Sequence, residues 1–220
     1  MIITLKPSSF FVFDLDDTLY PEIDYLKSAY KFIADTILPA TGKNIYSIML
    51  QRYISGENVF DWIVNSYADN DTEITTPYLL QLYREHKPEI KLNEDTGHLL
   101  DSLKENNVPV GLITDGRSIT QRNKLKALGL AGFFDDVIIS EEFGSEKPDE
   151  KNYLYFEKKY PGKEFYFIGD NTSKDFIVPC QLGWFTICLK NNGKNIHFQD
   201  FKNGISPNLI IDSFSELDLL

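Results

Sequence analysis

The stretch Phe10-Phe11-Val12-Phe13-Asp14-Leu15-Asp16-Asp17-Thr18 decides how this chain is read. Four apolar residues run without a polar break, as they do in a strand buried on both faces of a parallel sheet. They stop abruptly in two carboxylates one residue apart, Asp14 and Asp16. Packing gives no reason for such a junction. A metal-assisted site does, because one carboxylate can attack while the other handles protons. A solvated turn is the competing explanation of an acidic pair, and the apolar lead-in argues against it.

Downstream, from Val108 onward, short β-rich runs alternate with helical stretches. Residues 108–113 predict a buried strand that ends at Thr114-Asp115-Gly116. The helix after it is expected to start at Ser118 as cap, to bury Ile119, Leu125 and Leu128, and to stop at Gly129. Residues 136–139, 165–168, 186–189 and 209–211 predict further strands, the second of them ending at Gly169-Asp170-Asn171. Pro148 suits the first turn of a helix that Pro161-Gly162 ends. The alternation implies an α/β fold, a Rossmann-like parallel sheet flanked by helices. Ligands in such sheets collect beyond the carboxyl ends of the strands.

The stretch between the first strand and this region has no β-rich run. Ile23, Leu26, Tyr30, Ile33 and Ile37 recur at helical spacing, with Pro39 and Gly42 closing that helix. Residues 45–54 and 59–68 predict two more helices, and Thr76-Pro77 is expected to open a fourth through Leu79, Leu80 and Tyr83. The expected organisation is a core of residues 1–19 and 92–220, interrupted by an all-helical insertion over 20–91.

Composition narrows the function. At 220 residues, 42% hydrophobic and 14% aromatic, the chain can bury a sizeable core. A net charge of −11 argues against nucleic acid and anionic membrane as partners, since both need basic surface. Cys180 and Cys188 fit a reduced protein better than a disulfide framework. No leader-like segment or membrane-length apolar stretch is evident, so the expected location is cytoplasmic.

Three strand ends thus carry polar groups: Asp14 with Asp16, Thr114 with Asp115, and Asp170 with Asp175 close behind. Lys147-Pro148 adds a cation ahead of a helix. In order and chemistry these elements resemble the haloacid dehalogenase superfamily, specifically its phosphatase-like members with a helical cap after the first motif. Asp14-Leu15-Asp16-Asp17-Thr18 matches the first motif, Thr114-Asp115-Gly116 the second, Lys147-Pro148 the third, and Gly169-Asp170-Asn171 with Asp175 the fourth. Each motif alone is weak, and Lys-Pro is the weakest; four in order are specific.

The resemblance implies a phosphatase acting on a small phosphate monoester of the nucleotide or sugar phosphate class. Asp14 would be the nucleophile, forming an aspartyl-phosphate. Asp16 would protonate the leaving oxygen and then take a proton from the attacking water. Magnesium, suited to an all-oxygen site, would be held by Asp14, the backbone carbonyl of Asp16, and Asp170. Thr114, with Asp115 and Gly116 beside it, would bind phosphoryl oxygens, and Lys147 would neutralise their charge. Asp175 would hold Lys147 or a metal-bound water; as a bare residue it serves equally well as a helix cap.

Asp16 discriminates among related reactions. Halide leaves without a proton, so dehalogenases of this superfamily typically lack the second aspartate. A phosphomutase shares all four motifs. A phosphonate hydrolase would need an imine-forming lysine from the cap, where Lys27, Lys31 and Lys43 stand. A non-catalytic phosphate-binding scaffold is opposed by the intact Asp14, Asp16, Lys147 and Asp170. His86, His98 and His197 lack mutual metal-ligand spacing and read as ordinary polar residues. Arg117 reads as an exposed residue at a helix start, and Asn191-Asn192-Gly193-Lys194 as a polar turn.

Overall fold

A computed structural model describes residues 2–68, 74–193, 195, 197–201 and 206–220. Lys194, part of the expected polar turn, lies outside the described residues. The chain divides into two compact units, Met1–Ile23 with Lys91–Leu220, and Asp24–Ile90.

The larger unit opens with β1 (Ile2–Ile3) and β2 (Ser9–Phe13), and holds α6 (Glu94–Glu105), β3 (Val110–Thr114), α7 (Ser118–Ala127), β4 (Asp136–Ile139) and α8 (Ser140–Phe143). It continues through α9 (Glu150–Lys159), β5 (Glu164–Gly169), α10 (Ile177–Gln181), β6 (Phe185–Leu189), β7 (Leu209–Ile211) and β8 (Asp218–Leu219). Six of these strands form one parallel sheet in the order β4-β3-β2-β5-β6-β7, and β1 pairs separately with β8. The chain therefore winds outward from β2 in one direction and then returns to wind outward in the other. The reversal between β2 and β5 is a topological switch point, where open α/β sheets bind their ligands.

Every residue of β2 is buried, which is why its sequence shows an unbroken apolar run instead of alternation. Phe10 and Val12 join Ile113, Tyr153, Phe156, Phe167, Phe176 and Trp184 in one cluster. Gly111 in β3 is required there: a Cβ would stand 2.4 Å from Phe156 Cε1. Register then brings the functional strand ends level. Phe13 lies opposite Leu112 of β3 and Ile168 of β5, so Asp14, Thr114 and Asp170 emerge together at the carboxyl end of the sheet.

The helical unit contains most of α1 (Glu22–Thr36), then α2 (Leu38–Thr41), α3 (Tyr46–Ile54), α4 (Val59–Tyr67) and α5 (Thr76–Glu85). Its own core includes Ile33, Met49, Val59, Ile63 and Leu79, at the helical spacing the sequence shows. Tyr25 donates its hydroxyl to the Tyr83 carbonyl at 2.6 Å, and His86 Nδ1 lies 2.8 Å from the same oxygen.

Several helix starts differ from expectation. Thr75, not Thr76, caps α5, and Pro77 is its second residue. Arg117 precedes α7, so Ser118 is a first-turn residue whose amide donates to Glu141; Ile119 is exposed instead of buried. Asp149 caps α9, which leaves Pro148 ahead of the helix. Thr75 and Asp149 accept from first-turn amides, whereas Arg117 makes no side-chain cap and the Ser118 amide is taken by Glu141 instead.

Candidate active site

The carboxyl end of the sheet gathers charged side chains of both signs. Asp14, Asp16, Glu22, Thr114, Asp115, Lys147, Asp170, Asn171, Lys174 and His197 line one cavity of about 100 Å³. Asp14 directly follows β2, and its amide donates to the Ile168 carbonyl at 2.8 Å, fixing it between β2 and β5. Its carboxylate takes Lys147 Nζ at 2.5 Å and the Thr18 hydroxyl at 3.4 Å.

Lys147 is 6% exposed, and its Nζ also stands 2.8 Å from Asp175 Oδ1. That contact is an ion pair off the hydrogen-bonding direction, since the same oxygen makes no hydrogen bond among the described residues. Asp175 Oδ2 accepts from the amides of Asp170 at 3.2 Å and Asn171 at 2.9 Å. Asp175 is not a helix cap, because Phe176 precedes α10. It ties the loop after β5 to the lysine.

Burial pushes the Asp14 carboxyl up to about 7, although the Lys147 ammonium pulls against it. Burial would lower Lys147, but Asp14 and Asp175 outweigh it and hold the lysine well above its usual range. Asp170 is pushed up to about 8, first by burial and then by the charges of Asp14 and Asp175. Oxygens of Asp14, Asp170 and Asp175 lie within 4.8 Å of one another. This all-oxygen set, buried and mutually repelling, fits a hard divalent cation. Asp175 spends one oxygen on two amides, and the Lys147 ammonium stands on both Asp14 and Asp175.

Asp16 is held differently. Lys124 Nζ reaches both of its oxygens, at 2.7 and 2.8 Å, Tyr20 donates at 2.5 Å and Gln121 at 2.9 Å. Burial raises the Asp16 carboxyl, yet Lys124 and these hydrogen bonds prevail and hold it below the usual carboxylate range. Gln121 also donates to Thr114 Oγ1 at 2.5 Å. Asp115 accepts from the Lys147 amide at 3.0 Å and from Lys174 at 2.6 Å. The Gly116 amide donates to Ser140 Oγ at 2.9 Å, and Gly116 lies beside the cavity, not in its wall.

Sequence reasoning did not find Gln121, Lys124, Glu22 or Lys174. The available signal was the composition of α7, whose buried face carries Thr120, Gln121 and Lys124 where an amphipathic helix would place aliphatic residues. His197, read as an ordinary polar residue, lines the cavity. Arg117 is exposed and paired with Glu141, as its position suggested.

A parallel sheet whose switch point carries acids and a buried lysine defines an α/β core with a charged site at its carboxyl end. Comparisons place it further. The family of haloacid dehalogenase-like hydrolases matches residues 11–187, and the chain belongs to that family. It is 31% identical to the glyceraldehyde 3-phosphate phosphatase of Methanocaldococcus jannaschii, over 94% of this chain and 93% of that protein. It is also 31% identical to the pyrimidine 5'-nucleotidase YjjG of Escherichia coli, over 56% of this chain and 53% of that one. In fold it is similar to the HAD-hydrolase YfnB of Bacillus subtilis, solved bound to magnesium. The TM-score is 0.65 at 22% identity, covering 96% of this chain and 97% of that one. No helix among the described residues is long and apolar enough to cross a membrane.

Proposed function

We propose that this chain is a magnesium-dependent phosphatase that hydrolyses a small phosphate monoester of the sugar phosphate or nucleotide class through an aspartyl-phosphate. The observation that carries the reading is the buried lysine–carboxylate cluster at the switch point. Lys147 sits on Asp14 at 2.5 Å, with Asp16, Thr114 and Asp170 in the same cavity wall. Similarity to a glyceraldehyde 3-phosphate phosphatase and a pyrimidine 5'-nucleotidase supports the substrate class.

In this reading a carboxylate oxygen of Asp14 attacks phosphorus in line, and the ester P–O bond breaks. The protonated form of Asp16, which the Lys124 ammonium disfavours in the free site and which the attacking water restores each cycle, gives the departing oxygen its proton. Water then attacks the phosphorus of the aspartyl-phosphate and gives a proton to Asp16. Inorganic phosphate leaves and the Asp14 carboxylate is regenerated. The Thr114 hydroxyl binds a phosphoryl oxygen, and Lys147 balances the charge that builds on the group near Asp14. Asp14, Asp170 and the Asp16 carbonyl would hold the magnesium ion, which neutralises phosphate charge and acts as a Lewis acid. The helical insertion, residues 20–91, is read as a cap that excludes water and selects the leaving group.

A panel of phosphate monoesters, assayed with magnesium and with chelator, tests the proposal. Turnover that requires magnesium and is lost in Asp14→Asn is expected. Magnesium-independent turnover, or full activity in a folded Asp14→Asn variant, would refute it.

A further inference from the structure

The buried face of α7 is polar, and its two long side chains both end on Asp16. Gln121 and Lys124 are three residues apart, so they stand on one face about one turn apart. Lys124 is 2% exposed, and burying an ammonium is costly unless its geometry is well matched. The match here is two-pointed, since Nζ lies 2.7 and 2.8 Å from the two Asp16 oxygens. A cation on one oxygen would leave the carboxylate free to turn about its Cβ–Cγ bond. Contact with both, plus Gln121 on Oδ2 and Tyr20 on Oδ1, fixes its plane. Gln121 Nε2 has two hydrogens and uses one on Asp16 and one on Thr114 Oγ1. Glu22, a further wall residue of the cavity, stands 4.0 Å from the same ammonium.

We infer that Lys124 is a positioning residue for Asp16, holding that carboxylate in a fixed orientation beside Thr114 while Gln121 locks the two together. Packing alone does not call for a lysine there, because aliphatic side chains commonly replace buried ion pairs without loss of stability. In its kinetics the inference rests on the phosphatase reading, with Asp16 as acid and base.

The kinetic test uses Lys124→Met and two esters. p-Nitrophenolate departs from p-nitrophenyl phosphate without a proton, whereas the alkoxide of glyceraldehyde 3-phosphate needs one. In single-turnover release of the leaving group, Lys124→Met is expected to lose about 100-fold on the alkyl ester and less than about 5-fold on the aryl ester. In an Asp16→Asn background the same substitution is expected to add nothing. Equal losses on both esters, or a loss that persists in the Asp16→Asn background, would overturn the inference. If Lys124→Met does not fold, Lys124→Gln is read by the same two criteria.

A crystal structure of the folded variant supplies the arm that needs no activity. The Asp16 carboxylate is expected to turn away from Gln121; one that keeps its orientation overturns the inference. A wild-type protein without magnesium-dependent turnover would refute the phosphatase reading, and this structural arm alone would then decide on Lys124.

Discussion

Gly169 ends β5 immediately before Asp170, and replacing it with alanine tests how tightly the site is built. A Cβ there would lie 2.5 Å from Asp175 Oδ2 and 2.9 Å from its Cγ, where real Cβ contacts do not fall below 3.0 Å. The carboxylate must therefore retreat by at least about 0.5 Å, from 2.5 to 3.0 Å. Asp175 is fully buried and has no solvent to retreat into. The displaced oxygen accepts the Asp170 amide at 3.2 Å, a bond that a shift of this size takes past hydrogen-bonding range. Losing one hydrogen bond to a charged group costs about 1.5–3 kcal/mol, and overpacking about 1–3 kcal/mol. Gly169→Ala should thus lose about 2.5–6 kcal/mol of stability. Because Asp175 also holds Lys147 and the Asp170 loop, a displacement of about 0.5 Å should lower kcat by about 10-fold. The assay is turnover of p-nitrophenyl phosphate at saturating magnesium, with urea unfolding of the same preparation. Wild-type kcat with an unchanged unfolding midpoint would refute the reasoning.

Three further outcomes are expected. Asp14→Asn should cut kcat by about 10⁴-fold or more while retaining the native circular dichroism spectrum; turnover within tenfold of wild type would contradict its role. Tyr153→Phe should gain about 1 kcal/mol in urea unfolding, because the Tyr153 hydroxyl is buried and makes no hydrogen bond among the described residues; a loss would contradict this. Asp14 and Asp170 are raised by burial to about 7 and about 8, so their stabilising contribution is full below the unfolded carboxylate range and is lost as pH rises through those values. Metal-free protein should therefore melt lower at pH 8.5 than at pH 6. Magnesium should bind more tightly at the higher pH, with proton release visible by calorimetry in buffers of different ionisation heat. Pairwise equal melting points and affinities would contradict the sign.

The α/β fold was legible because β2 is central and doubly covered, so Phe10 to Phe13 form an unbroken run with the acids placed where the strand ends. Asp14, Thr114 and Asp170 could be picked out because a parallel sheet aligns the carboxyl ends of strands remote in sequence. Lys124 and Gln121 were not, since a lysine or glutamine three residues apart on a helix normally means a solvated face. Only the packing of α7 turns that face inward. The exact caps were also illegible: Thr75 and Thr76 compete on equal local terms, and Ser118 yields the cap position to Arg117 where its amide donates to Glu141, remote in sequence. Asp175 suits a helix cap or a site residue equally well in sequence, and the amides of Asp170 and Asn171 that donate to it make it part of the site loop.

The distribution of positive charge bears on the metal. Each of two buried lysines is matched to strand-end acids: Lys147 to Asp14 and Asp175, and Lys124 to Asp16 with Glu22 nearby. Asp170 is the exception. Its hydrogen-bond partner is the neutral side-chain amide of Asn195 at 2.8 Å, and it forms no ion pair among the described residues. It is also pushed up to about 8, first by burial and then by the charges of Asp14 and Asp175. A site that supplies two cations to one side and none to Asp170 is short of positive charge at one place, between Asp14 and Asp170. A third lysine, Lys174 of the cavity wall, is paired with Asp115 at 2.6 Å and does not answer Asp170. A hard divalent cation held by oxygen ligands would supply the missing charge there. The imbalance at Asp170 therefore supports magnesium more directly than the count of acids does.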